Sequence, residues 1–187
     1  MASDTQEKIL SACAVVIARA GLPGFRMTDV AREAGVSIGL LSYHFGDRDG
    51  LLQAALDHVN AGTAARAAHS TPSGNDQARA RLETLLCSDF GEDTGIRAGS
   101  IAWNELRAAA VFAPTQAAAL ARSTGDWQSS VAALVRAATE LSDQEAEQSA
   151  LHLTALVEGL SGRWLTGQIT VDAAQATVRS AVASLLG

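Results

Sequence analysis

Long apolar runs, proline, cysteine and positive charge are all scarce in this chain. Its apolar stretches are broken by Gly, Arg, Glu or Ser within a few residues, far short of the roughly 20 residues that span a bilayer. No membrane segment and no membrane partner are therefore expected. Residues Met1 to Glu7 lack the basic start, apolar run and small-residue cleavage site of a secretion signal, which points to a cytoplasmic chain. The only cysteines, Cys13 and Cys87, are far apart and flanked by apolar residues, so they read as buried free thiols rather than a disulfide framework or a zinc site. The histidines His44, His58, His69 and His152 show no metal spacing such as i, i+4 on one helix, and no metal is implied. Gly74 and the stretch 91–99 carry no phosphate-loop pattern, and no Ser, Cys or acidic residue sits in a local nucleophile motif. Neither catalysis nor a cofactor is predicted. The net charge of −6 also argues against a generic polyanion binder, whose affinity comes from Lys and Arg neutralising phosphates.

What is present is helix-forming. Ala, Leu, Arg, Gln and Glu dominate the 187 residues, 48% are apolar, and no stretch alternates strictly between apolar and polar, so an all-α chain with a sizeable core is expected. A first helix should start at Ser3 or Asp4, with Gln6 or Glu7 completing a capping box. It would bury Ile9, Cys13, Val16, Ile17 and Ala20 and stop at Gly21 and Pro23. A short second helix runs from Thr28, whose hydroxyl can cap it, to Ala34, with Gly35 at the left-handed stop. Ser37 caps a third helix that reaches Phe45, and Asp47 caps a fourth with Leu51, Leu52, Ala55, Leu56 and Val59 on its apolar stripe. A loop over His69 to Asp76 precedes a fifth helix from about Gln77 to Phe90 and a sixth from Ile96 to Phe112. Pro114 opens a seventh that continues to about Leu141, and a Ser142–Glu145 capping box opens an eighth lasting to Gly167. A ninth spans Asp172 to Leu186, and there is no internal repeat.

Residues 28 to 45 hold the most specific pattern: helix, a turn at Gly35, and a second helix capped by Ser37. That is a helix-turn-helix, whose second helix fits the major groove of double-stranded DNA with its N-terminal residues against base edges. Gly39 in its first turn costs helix stability but lets a backbone approach closely. Tyr43 and His44 place large polar side chains beside the apolar Leu41 and Phe45, and Arg48 is the nearest cation, suited to clamp a phosphate. Through residue 50, Lys8, Arg19, Arg26, Arg32 and Arg48 face the acidic Asp4, Glu7, Asp29, Glu33, Asp47 and Asp49. Affinity must then come from well-placed groups, helix N-termini and dimerisation rather than bulk charge. The charge balance also keeps alive an alternative: an all-helical ligand-binding or protein-interaction module without DNA binding.

Thr28, Val30, Ala31, Ala34, Gly35, Val36, Ser37, Gly39, Leu41, Phe45, Asp47, Leu51 and Leu52, in that spacing, resemble the signature of the tetracycline-repressor family over about residues 8 to 56. The resemblance implies a helix-turn-helix DNA-binding domain over 1–50 and a helical ligand-binding and dimerisation domain over 51–187. Its implied function is repression from a palindromic operator, relieved by a small-molecule effector. Thr28, Ser37, Ile38, Gly39, Leu40, Tyr43, His44 and Arg48 would meet DNA. The family usually has Tyr where Ser42 stands and often Lys where Ile38 stands, so no relative's operator carries over. Further on, Ala102–Trp103 ahead of Pro114, and Leu156–Val157–Glu158–Gly159–Leu160 with Arg163, resemble the branch that includes repressors of glycine-betaine synthesis. Relatives there tend to have two aromatics where this chain has Leu106 and Arg107.

For the effector, of unknown identity, the candidate residues are Phe90, Trp103, Arg107, Phe112, Trp127 and Glu158, with Trp164 and Glu105 nearby. Aromatic faces and carboxylates would suit a cation, but Arg107, one turn from Trp103, favours an aromatic or amphipathic molecule over choline. For the homodimer, small Gly159 and Gly162 on an apolar helix allow close approach, and an interface of the last two helices is expected around Leu156, Gly159, Leu160, Val178 and Val182.

Overall fold

The computed structural model describes residues 4–68 and 75–186. Among them the chain is all-α, with α1 at Asp4–Gly24, α2 at Met27–Ala34, α3 at Ile38–Phe45, α4 at Arg48–Ala68 and α5 at Asn75–Cys87. Then follow α6 at Thr94–Ala110, α7 at Pro114–Ala138, α8 at Asp143–Leu165 and α9 at Val171–Leu186. Ser3 and most of the expected 69–76 loop lie outside the described residues.

The helix boundaries follow from local hydrogen bonding. Ser37 accepts the amide of Leu40 at 3.1 Å, and Asp47 that of Gly50 at 2.9 Å, each satisfying an amide that the first turn of a helix leaves without a partner. Ser142 and Glu145 form the reciprocal capping box; the two hydrogen bonds from Ser142 hold the exposed Glu145 carboxyl below its ordinary range. Thr28 departs from expectation. The N-cap of α2 is Arg26, in an extended conformation and without a side-chain cap bond, so Thr28 lies inside the first turn and its hydroxyl is not the cap. Asp93 opens α6 earlier than Ile96, accepting the amides of Gly95 at 2.8 Å and Ile96 at 3.2 Å. Gly21, with φ 65° and ψ 170°, breaks α1 internally, a conformation that residues bearing a Cβ seldom adopt. Beyond that break α1 turns away, and Ala20, expected on the buried stripe, is exposed.

The chain divides into two compact units, one made of residues up to 61 with 98–123, the other of 62–97 with 124–187. In the first, Ile9, Cys13, Val16 and Ile17 of α1 enclose Val30 and Leu41 together with Leu51, Leu52, Ala55 and Leu56 of α4. Packing therefore carries this unit past residue 50 and draws in Ala102 and Leu106 of α6. The second unit is built on Leu82 and Leu86, Val131 and Val135, Leu153 and Val157, and the α9 stripe Ala174, Val178 and Val182. Full burial of each such Val, Leu or Ile contributes about 1.5–3 kcal/mol. Phe90, just beyond α5, turns inward to lie edge-on to Trp164 with ring centroids 5.8 Å apart. Both cysteines are buried and free, and burial pushes the Cys13 thiol up to about 12. No described helix is long and apolar enough to cross a membrane.

Candidate nucleic-acid interface

The turn between α2 and α3 is closed by Gly35, at φ 67° and ψ 33°, whose amide returns to the carbonyls of Ala31 and Arg32. Val36 donates to Ala31 as well, at 2.9 Å. This left-handed stop satisfies the last carbonyls of α2 and turns the chain directly into α3. One residue anchors α3: Leu41 is fully buried in the first unit. The opposite face is unusual for its apolar content, with Ile38 45%, Leu40 37% and Tyr43 82% exposed. A Cβ on Gly39 would meet only Ser37 Oγ, at 3.9 Å. No internal packing demands a glycine there, so its missing side chain makes sense for something that approaches from outside. Tyr43 lies edge-on to His44 at 5.2 Å, and His44 in turn faces Phe45 at 6.1 Å, which braces the exposed phenol.

Of the residues assigned to DNA, Ser37, Ile38, Gly39, Leu40, Tyr43 and His44 share this short segment, and Thr28 is exposed on the first turn of α2. Arg48 has an internal task. Its Nη2 donates to the Leu22 carbonyl at 3.2 Å and its guanidinium lies 5.6 Å from the centre of the Phe25 ring. Leu22 is held from its other side too, since its amide donates to Glu105 Oε2 of α6 at 2.8 Å. Both backbone groups just past the Gly21 break are thus clamped by charged side chains of opposite sign from α4 and α6. Sequence reasoning missed Arg26, an exposed cation at the head of α2; its place directly before the helix start was the available signal. Two other arginines are offset by acids, Arg19 by Glu33 at 3.1 Å and Arg32 by Asp29 at 3.0 Å.

The residues assigned to an effector fall into both units. In the first, Trp103 packs against the core, Arg107 donates to Asn104 Oδ1 at 3.1 Å, and Phe112 is 89% exposed past the end of α6. In the second, Phe90 is enclosed by core, Trp127 packs at its edge with a buried Nε1 that has no partner among the described residues, and Glu158 is half-buried on α8. Those assigned to the dimer also separate. Gly159 is exposed and a Cβ there would meet nothing within 4 Å, while Leu156 is half-buried. Leu160 is nearly enclosed, and Val178 and Val182 are fully buried inside their own unit, where α9 packs on α5 and α8. Those two valines are therefore spent on the chain's own core. The sides of α8 and α9 facing solvent instead carry Leu151, Ala155 and Gly159, and Ala176, Ser180 and Ala183.

Comparison with known proteins places this geometry. Residues 9–55 match the model of bacterial regulatory proteins of the tetR family, and residues 78–187 match that of the C-terminal part of BetI-type transcriptional repressors. An HTH-type transcriptional regulator BetI of Burkholderia mallei is 33% identical over 154 residues, 82% of this chain and 76% of that protein. A solved TetR-family transcriptional regulator from Rhodococcus sp. superposes with a TM-score of 0.90 at 39% identity, covering 100% of both chains. A transcriptional regulator from Saccharomonospora viridis, solved in complex with choline, shares the fold at a TM-score of 0.75 and 23% identity, over 96% of this chain and 95% of that one.

Proposed function

This chain belongs to the tetR family of bacterial transcriptional regulators, and we propose that it represses from a palindromic operator as a homodimer and lets go when a small molecule binds. The observation that carries the DNA-reading part is α3 itself: an exposed helix locked by buried Leu41, with a side-chain-free position in its first turn. Ser37, Ile38, Gly39, Leu40, Tyr43 and His44 would enter the major groove. Thr28, with Arg26 beside it, would meet the phosphate backbone at the start of α2, where helix amides favour an anion. Arg48 adds positive charge next to α3 while it fastens α1.

The chemistry of α3 also bears on which bases are read. It contains no Arg, Lys, Asn, Gln, Asp or Glu, the side chains that make paired hydrogen bonds to guanine or adenine or accept from cytosine. Exposed Ile38 and Leu40 suit the thymine methyl instead. Half-sites selected from random DNA are expected to hold A·T or T·A pairs beneath these residues. Replacing a contacted thymine by deoxyuridine, which removes only the methyl, should weaken binding about fourfold, as for one buried methyl-sized group. Guanine-centred sites that ignore the replacement would overturn this readout and leave the DNA-binding assignment standing.

The phosphate part has its own test. Arg26, Arg32 and Arg48 in two copies neutralise at most about six phosphates, so log K against log salt should fall with a slope no steeper than about −5. Arg26→Ala should flatten it by about 2 on every DNA, whereas Tyr43→Ala should weaken selected sites more than random ones. Full-length protein that retards no selected DNA would instead favour a helical module without DNA binding.

The homodimer is proposed through the solvent-facing sides of α8 and α9, with Gly159 near its centre. Two copies are needed because one short helix with little charge reads few bases. The Saccharomonospora relative's choline does not carry over to this chain at its level of identity. Trp103 and Arg107 on α6 remain the effector-facing candidates with mixed apolar and polar character, joined by Trp127 and Glu158; Phe90 and Phe112 are the weaker members, one enclosed and one almost fully solvated.

A further inference from the structure

Within the first unit lies a cavity of about 260 Å³ between the start of α4, the middle of α6 and the start of α7. Leu52, Leu56, Leu106 and Ala119 make it largely apolar, and Asp49 and Gln116 are among its polar groups. One of those is unsatisfied: Gln116 Oε1 is buried and accepts no hydrogen bond among the described residues. A buried acceptor without a donor costs stability unless something supplies one. The lining includes no Lys or Arg that would welcome a carboxylate.

The position of the cavity is as informative as its chemistry. Asp49 directly follows Arg48, and Leu106 directly follows Glu105. Arg48 and Glu105 are the two residues that clamp the carbonyl and the amide of Leu22 at the end of α1. A molecule wedged against Asp49 and Leu106 therefore presses on the backbone that carries the clamp. That clamp lies in the same unit as α2 and α3.

Building on the reading of the chain as a DNA-binding regulator, we propose that this cavity is an effector site for a compact apolar alcohol or amine. Its donor bonds Gln116 Oε1, and its occupancy loosens the Leu22 clamp and lowers operator affinity. The site is distinct from the aromatic residues considered above, and the ligand needs no aromatic cage.

Two probes of like size separate donor from acceptor: 2-phenylethanol, which donates, and acetophenone, which only accepts. In calorimetric titrations of the full chain at up to millimolar concentration, 2-phenylethanol should bind at least about tenfold more tightly than acetophenone, the order expected for pairing one buried acceptor. Gln116→Leu should abolish that preference while leaving apolar affinity, and Ala119→Phe, which fills the cavity, should abolish binding of both. Saturating 2-phenylethanol should weaken operator binding at least about fivefold, within the usual range of coupling between sites. Glu105→Ala should keep the probe's affinity yet reduce that coupling towards onefold, a readout that a purely structural role for Glu105 would not move; its thermal unfolding profile reports whether the fold survives. A wild-type chain that binds neither probe, or binds both equally with or without Ala119→Phe, overturns the site. Loss of the site leaves operator retardation intact, and loss of operator retardation leaves the calorimetry intact, so the two readings fail separately.

Discussion

Replacing Gly159 by glutamate is expected to turn a two-fold dimer into monomers and to cut operator affinity at least about a hundredfold, the scale of an uncompensated buried charge. The position isolates the interface from the fold. Gly159 is exposed on α8, and a side chain there meets nothing within 4 Å of its own chain, so the monomer loses little. Across a two-fold axis the same substitution brings a carboxylate into a contact that small Ala155 and Gly159 would otherwise keep close, and symmetry brings a second carboxylate to face the partner. Light scattering gives the mass, and retardation of the selected operator gives the affinity. An unchanged dimer with unchanged binding would place the interface on another face. Val178→Glu is an instructive contrast. Because Val178 is fully buried in its own unit, that change should unfold the second unit rather than separate two folded copies.

Leu41→Ala is expected to cost about 2–5 kcal/mol of the first unit's stability, the range for truncating a buried leucine, and to remove specific DNA binding with it. No other residue of α3 is fully buried, so its attachment to α1, α2 and α4 rests on this side chain, with partial help from Phe45. Once it is shortened, Ile38, Leu40 and Tyr43 lose the rigid backing that aims them outward. Denaturant unfolding should show the loss of stability, and retardation assays the loss of specific over random DNA. Substituting the exposed neighbour, Leu40→Ala, should leave stability within about 0.5 kcal/mol and affect DNA alone. Equal unfolding curves for Leu41→Ala and the wild type would refute the anchor.

The sequence made the helices legible wherever local chemistry decides them. Ser37, Asp47, Gly35, Pro114 and the Ser142–Glu145 pair act as stops and starts whatever surrounds them, and the structure uses each as expected. It was less informative wherever tertiary packing decides. The apolar stripe of α9 reads equally well as an interface or as core, and only the packing of α9 against α5 and α8 shows that Val178 and Val182 are core. The aromatics of the C-terminal part suggest a cage by composition, yet Phe90 and Trp164 pair inside the core. Arg48 looked like a phosphate clamp because it stands next to α3 in the chain; its bond to Leu22, 26 residues away, was invisible to any local pattern. The same holds for Glu105, whose partner lies 83 residues away. Thr28 missed its expected cap by a shift of two residues, within the ordinary uncertainty of a helix end.

The offset arginines around α3 have a consequence for the protein inside a cell. Arg19 and Arg32 are each matched by an acid, Glu33 and Asp29, and the chain has a single lysine, Lys8. A genome presents about 10⁶–10⁹ competing non-specific sites, and a strongly basic regulator spends most of its copies on them. A reading head with so little spare charge is held only briefly by bulk DNA, so most copies stay in free solution. Few molecules per cell then suffice to fill one operator, and a released copy returns by diffusion through solution more than by sliding along the duplex.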